Sequence, residues 1–245
     1  MSTRTPSIAH FVALLLALTI SFAACTPAEP TATPTPSPTP PPSAEAILAD
    51  SGQRMAALDS FRFGLSHENG GTPLAIGLVV TDVEGDVVKP DGLRVSLGAT
   101  FSGFYVELKL VAVEGVTYMT DPVTQEWEIQ EAGVNPLAFF DPARGIDSIM
   151  SDLAEPSLLG QETLEDVTTH RISGKLPSDS LVPLLSTVSP GLTVDTEVWI
   201  SEDDSYLRKV VFRGVAVAGD AEDIVRTIVL SKFNQAAEVE APPLN

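Results

Sequence analysis

From Phe61 onward the chain alternates apolar and polar or small residues with a period of two, in one run after another. Phe61, Phe63 and Leu65 open the pattern. Leu74, Ile76, Leu78 and Val80 repeat it, then Leu93, Val95, Leu97, Ala99 and Phe101, then Phe104, Val106, Leu108, Leu110 and Ala112. Successive side chains of a strand point to opposite faces, so each run has one apolar and one wetter face. Turn signals separate the runs at Lys89-Pro90-Asp91-Gly92 and Glu114-Gly115, and Asp121–Gln125 joins Val116–Thr120 to Glu126–Gln130 as a hairpin. A chain so patterned is confined to a long antiparallel meander that buries one side.

Helical segments supply the cover. Ser43 is placed to cap a helix over residues 44–58, with Glu45 in its first turn and Ile47, Leu48, Ser51, Met55 and Leu58 on one face. Asn135–Phe140, and then Ile146, Ile149, Met150 and Leu153, read as short helices with apolar faces. Strands resume near Ser157–Leu164 and Thr168–Gly174. Leu176–Val188 reads as a helix with Pro177 at its start and Ser178 or Asp179 as cap, made to start late or kink by Pro183. Leu192–Ser201, Tyr206–Val217 and Ile224–Phe233 read as closing strands. About ten strands with three or four helices define an α+β fold, a large curved antiparallel sheet with one face under helices.

The N-terminus is of another kind. Arg4 and His10 precede an uncharged apolar run, residues 11–20, too short for the roughly 20 apolar residues that span a bilayer. Ser21-Phe22-Ala23-Ala24-Cys25 follows, and Cys25 is the one cysteine of the chain. A basic start, a short apolar core and small residues before cleavage read as an export signal over residues 1–24. Two small residues directly before a lone cysteine resemble a bacterial lipobox, although Phe22 stands where an aliphatic residue is usual. On this reading Cys25 becomes the lipidated N-terminus of an extracytoplasmic, membrane-anchored protein; plain secretion is the alternative. One cysteine forms no internal disulfide, so the fold must rest on its core. Acyl chains added together anchor stably where one is marginal.

Residues 26–43 are rich in Thr, Pro, Ala and Ser. Such a segment favours extended polyproline II and reaches roughly 55 Å, a spacer between the lipid and the residue 44–245 domain. Without Arg4, the 14 basic residues become 13 against 33 acidic, a net charge of −20. That charge argues against nucleic acid and against lying flat on an anionic membrane, and it favours a dispersed monomeric head.

Catalytic chemistry is sparse. His67 and His170 lie in separate strands without metal-ligand spacing and read as surface residues. Gly64-Leu65-Ser66-His67-Glu68 lacks the second glycine of a nucleophile elbow, and no phosphate or dinucleotide loop is present. Glu202-Asp203-Asp204 reads as an acidic turn rather than a calcium loop. Trp127 and Trp199 are expected to cover the sheet. The chain is read as non-enzymatic and free of cofactors.

Several strings resemble the LppX/LprAFG-type lipoproteins, which are related in fold to the LolA/LolB carriers. They are Tyr118-Met119-Thr120 followed by Thr124-Gln125-Glu126-Trp127; Leu159-Gly160-Gln161-Glu162 followed by Thr169-His170-Arg171-Ile172-Ser173-Gly174; Val198-Trp199-Ile200-Ser201 followed by Leu207-Arg208-Lys209-Val210; and the stretch Phe233 to Pro242. The resemblance implies a half-barrel wrapped around helices, enclosing a hydrophobic cavity for acyl chains. It also implies envelope lipid or lipoglycan binding and transport, with an envelope lipid transporter as a partner. Leu137, Phe139, Phe140, Ile146, Ile149 and Met150 are the candidate walls on the helices, and Phe61, Phe63, Leu108 and Leu110 those on the sheet. Apolar periodicity alone reads these ten equally as ordinary core, in which case the chain is a non-catalytic scaffold lipoprotein with a closed interior.

Overall fold

Helix α1, Ala44–Ala56, begins where the sequence places it. The computed structural model describes residues 42–73, 77–130, 142–185, 188–235 and 238–244, all within one unit, Pro41–Asn245. The Ser43 hydroxyl accepts the Ala46 N–H at 3.3 Å, satisfying one of the free donors of the first turn. Ile47, Leu48, Ser51 and Met55 are buried along one face, and Leu58 follows them inward. At the other end the Lys89 ammonium donates to the Ala56 carbonyl at 2.8 Å, a cation on the negative pole of the helix.

Twelve strands among the described residues form one open antiparallel sheet. They are β1 (Ser60–Glu68), β2 (Thr72–Pro73), β3 (Leu78–Val88), β4 (Gly92–Phe101), β5 (Phe104–Val113), β6 (Val116–Thr120), β7 (Trp127–Ile129), β8 (Ala154–Leu164), β9 (Val167–Pro177), β10 (Thr193–Ser201), β11 (Leu207–Arg213) and β12 (Val225–Ser231). The spatial order is β7-β6-β5-β4-β3-β1-β12-β11-β10-β9-β8, with β2 added beside β3. Two meanders therefore flank β1, and the first and last long strands are neighbours. Helix α2 (Pro142–Asp152), a 3₁₀ turn (Ser178–Leu181) and the single-turn α3 (Val182–Leu185) join α1 over the inner face. The result is an α+β half-barrel.

Register follows the alternation. Phe63 pairs with Gly85 and Leu230, Leu97 with Leu108, and Val198 with Ile172 and Val210, all toward the helices. A Cβ on Gly85 would lie 2.8 Å from the Phe63 ring, so the glycine leaves room for that ring. Glu114 and Gly115 have φ of 52° and 75°, the conformation a tight two-residue hairpin requires.

The structure differs from the sequence expectations in several places. The segment expected to be helical over 176–188 stays in strand to Pro177, because Leu176 pairs with Val194 and is fully buried. A 3₁₀ turn follows without side-chain capping, and α3 starts only at Val182, next to Pro183. Strand β11 ends at Arg213, not Val217. Gly214, at φ 108°, turns the chain out, and the Asp220 carboxylate accepts the N–H groups of Ala216 and Val217 at 2.9 and 2.8 Å. The alternation at Leu74 and Ile76 and the helix expected at Asn135–Phe140 lie outside the described residues, as do residues 1–41.

The outer face carries ion pairs. Arg62 donates to both oxygens of Asp86 at 2.7 and 2.8 Å, and Arg94 adds a bond at 2.8 Å. Trp199 is buried on this face beneath Arg171 and Lys209, whose charged ends lie 5.2 and 4.6 Å from the ring centre, and its indole N–H donates to Glu162 at 3.0 Å. Strings far apart in sequence meet here: Glu162 from β8, Arg171 from β9, Trp199 from β10 and Lys209 from β11. In the turn after β10, Asp204 accepts the Tyr206 N–H at 3.0 Å and pairs with Arg208, as an acidic turn does.

The Arg62 and Arg94 guanidiniums hold the buried Asp86 carboxyl down at about 2, from an ordinary 3.8. A depressed folded-state pKa stabilises above the ordinary value and loses that contribution as acid protonates the group. Stability is therefore expected to drop by up to about 2 kcal/mol between about pH 4 and pH 2 through this residue. Urea denaturation across that window should show the fall, and Asp86→Asn should flatten it.

Candidate functional site

The concave face of the sheet is built by one rule, an apolar residue at every second position. Phe61, Phe63 and Leu65 of β1, Leu93, Val95, Leu97 and Ala99 of β4, and Val106, Leu108, Leu110 and Ala112 of β5 all point inward. Helices α1 and α2 pack against one another, with Gly52 beside Met150. A side chain on Gly145 would meet Leu184 at 2.5 Å, so that glycine admits the last helix. The helical layer lies closest to the β8–β10 half, where Leu153 packs beside Gly174.

The structure brings seven of the ten sequence candidates onto this interior. Phe61, Phe63, Leu108, Ile146, Ile149 and Met150 are buried within the core cluster, and Leu110 packs against it while remaining partly exposed. Leu137, Phe139, Phe140 and the lipidation candidate Cys25 lie outside the described residues.

Coverage of the concave face is uneven. On β4 and β5, Leu93 and Ala112 at one end are buried. Leu97, Val106 and Leu110 point inward yet are only partly covered. Beyond them Phe101 and Phe104, paired across the end of the hairpin, are open to solvent. On the far half, Ile172, Val198, Ile200 and Val210 are sealed. The half-barrel is thus dense under its helices, and along β4–β5 the partly covered side chains are interleaved with the buried Val95, Ala99 and Leu108 up to the open tip.

Sequence reasoning missed the polar groups of the interior. His67 is not a surface residue. Its Nδ1–H donates to the Thr81 carbonyl at 2.8 Å, leaving Nε2 to accept the Thr72 hydroxyl at 2.8 Å. Thr72 in turn accepts from Arg226 Nε at 3.4 Å. Burial pushes the His67 pKa below its ordinary value. Arg226 is 2 % exposed and pairs at 2.6 Å with Asp220, which has no exposed side-chain area. Burial alone would raise the Asp220 carboxyl, but Arg226 and the two backbone N–H groups hold it low. His170 also turns inward, and among the described residues its Nδ1 and the Ser51 hydroxyl are buried without a hydrogen-bond partner. No periodicity marks such residues, because pairing depends on strands distant in sequence.

An open half-barrel with an apolar concave face, partly filled by helices, defines the α+β class to which the chain belongs. Within it, the chain belongs to the LppX_LprAFG lipoprotein family, whose pattern it matches over residues 43–239. The lipoarabinomannan carrier protein LprG of Mycobacterium tuberculosis is 24% identical over 99% of this chain and 100% of its own length. The crystal structure of LprF from Mycobacterium bovis superposes with a TM-score of 0.64 at 16% identity, covering 81% of this chain and 96% of LprF. Mycobacterium tuberculosis LppX superposes at 0.57 with 18% identity, over 80% and 98%.

The two kinds of inward residue are separable by stability. Ile149→Ala, in the sealed part, is expected to cost about 2–4 kcal/mol, whereas Leu110→Ala, on the uncovered part, is expected to cost about 1 kcal/mol or less. Urea midpoints of the two variants measure the difference. Equal large losses would mean that β5 is packed as tightly as the helical core.

Proposed function

We propose that this protein is a membrane-anchored lipoprotein that encloses the acyl chains of a lipid or glycolipid in its half-barrel and carries them within the cell envelope. The observation that carries the reading is the set of partly covered inward apolar residues, Leu97, Val106 and Leu110, interleaved with the buried Ala99 and Leu108 of β4 and β5. A soluble head gains nothing by leaving inward leucines and valines wet. An acyl chain laid along them recovers roughly 0.8 kcal/mol per methylene buried, with no catalytic group needed. The likeness to a lipoarabinomannan carrier supports an acylated ligand, lipid or glycolipid. Residues 1–24 would be removed on export, Cys25 would carry the lipid and residues 26–43 would hold the head clear of the membrane.

The head, residues 41–245, should purify with lipid that native mass spectrometry detects and organic solvent extracts. Stripped protein should take up a fluorescent fatty-acyl probe, and Val106→Asp with Leu110→Asp should cut that uptake at least about tenfold, the cost of placing charge against an acyl chain. Protein free of lipid that also ignores the probe would favour the closed scaffold instead. For the anchor, Cys25→Ser should move the protein to the aqueous fraction or block its processing. Normal processing with unchanged membrane fractionation would refute lipidation.

A further inference from the structure

The β4–β5 hairpin ends in an aromatic tip that the lipid-enclosing reading does not use. Ser102 and Gly103 form the two-residue turn, at φ of 50° and 84°. Phe101 and Phe104 flank it as a cross-strand pair, 49% and 75% exposed, on the inner side. Tyr105, 64% exposed, stands on the opposite side. Rings on both sides of one tip cannot all be serving the interior.

The charge pattern singles out the same place. In a chain with 33 acidic and 14 basic residues, nothing between Arg94 and Glu107 is charged, and nothing between Glu68 and Asp82. The pairing of Leu78, Val79 and Val80 with Phe101, Thr100 and Ala99 sets the described ends of those stretches side by side at one end of the sheet. An acidic head thus has one aromatic-tipped corner that is uncharged on the Phe101–Phe104 side, its nearest carboxylate being Asp82, which lies with the Tyr105 hydroxyl over Gly98 on the outer side. Protein partners of an acidic domain are selected largely through its charges, and the Phe101–Phe104 side of this corner has none to offer. Phe and Tyr at a neutral tip suit the boundary between headgroups and acyl chains, where an aromatic body is buried and a phenol stays wet.

We propose that this corner docks on the surface of the lipid bilayer that holds the chain, with Phe101 and Phe104 entering the acyl boundary and Tyr105 at headgroup level. This rests on the anchored reading of Cys25, because two rings bind a free vesicle weakly. An eighteen-residue tether keeps the head at millimolar effective concentration and reaches roughly 55 Å, so weak insertion suffices. The anchor sets distance, and the hairpin sets orientation.

The test uses residues 25–245, coupled through Cys25, the single thiol, to a maleimide lipid in phosphatidylcholine vesicles. Aqueous iodination of Tyr105 is followed by peptide mass spectrometry. Tyr105 faces away from the concavity, so cargo inside does not shield it. Coupling should slow its iodination about fivefold relative to uncoupled protein mixed with the same vesicles, the shift expected when a tethered site is mostly bound. Phe101→Ser with Phe104→Ser should restore the uncoupled rate. Equal rates for coupled and uncoupled protein would overturn the proposal. So would protection that appears without vesicles and grows with protein concentration, which would assign the corner to a second copy of the chain. Acyl-probe uptake is read on the same sample. Protection without uptake leaves docking standing and sinks the cargo reading, and uptake without protection does the reverse.

Discussion

The pairing of β1 with β12 is the contact on which the rest depends. Each flanking meander is made of neighbours in sequence and closes at low entropic cost. Joining the first strand to the last requires most of the chain to be in place, and only then is the concave face continuous. Phe63 beside Leu230, and Leu65 beside Ile228, carry the apolar surface across the seam. Asn234 secures one end, accepting the Asp59 N–H at 2.8 Å and donating its own N–H to the Ser60 carbonyl at 2.9 Å. The His67–Thr72–Arg226–Asp220 chain secures the other. A buried ion pair is a weak source of net stability once desolvation is counted, but removing either partner would leave a bare charge inside. Arg226 and Asp220 therefore act more by fixing which strands meet than by adding energy.

The two faces of the sheet solve different problems. Outside, arginines and carboxylates pair across neighbouring strands, and Trp199 is roofed by Arg171 and Lys209. Those contacts hold the curvature of a sheet whose edges never close. Inside, helices fill one half and leave the β4–β5 side less covered. Incomplete cover is confined to the β4–β5 side.

Strand β8 shows how an open sheet avoids extending itself. It forms one edge, and its register with β9 slips between Ala154 and Ser157 and again between Leu158 and Gly160. Pro156 lies in the first slip, and Gly160, at φ 135°, in the second. Proline and irregular backbone spoil the ladder that another chain would otherwise pair with. Exposed Leu158 and Leu159 are thereby kept from seeding a neighbour's strand.

Much of the fold was legible because period and punctuation are local. The α1 cap at Ser43, the meander through β6 and β7, the Glu114-Gly115 turn and the α+β class follow from residues a few positions apart, where side-chain direction is set by the backbone itself. Alternation also named inward residues, including Phe63, Leu108 and Ile149. It could not rank them, since burial depends on what lies opposite. Only the tertiary structure decided that Ile149 is sealed while Leu110 is partly open, that Leu176 continues a strand, and that two histidines read as surface residues turn inward. Those outcomes hang on pairings such as His67 with Arg226, set by partners more than 150 residues away, and no local pattern records them.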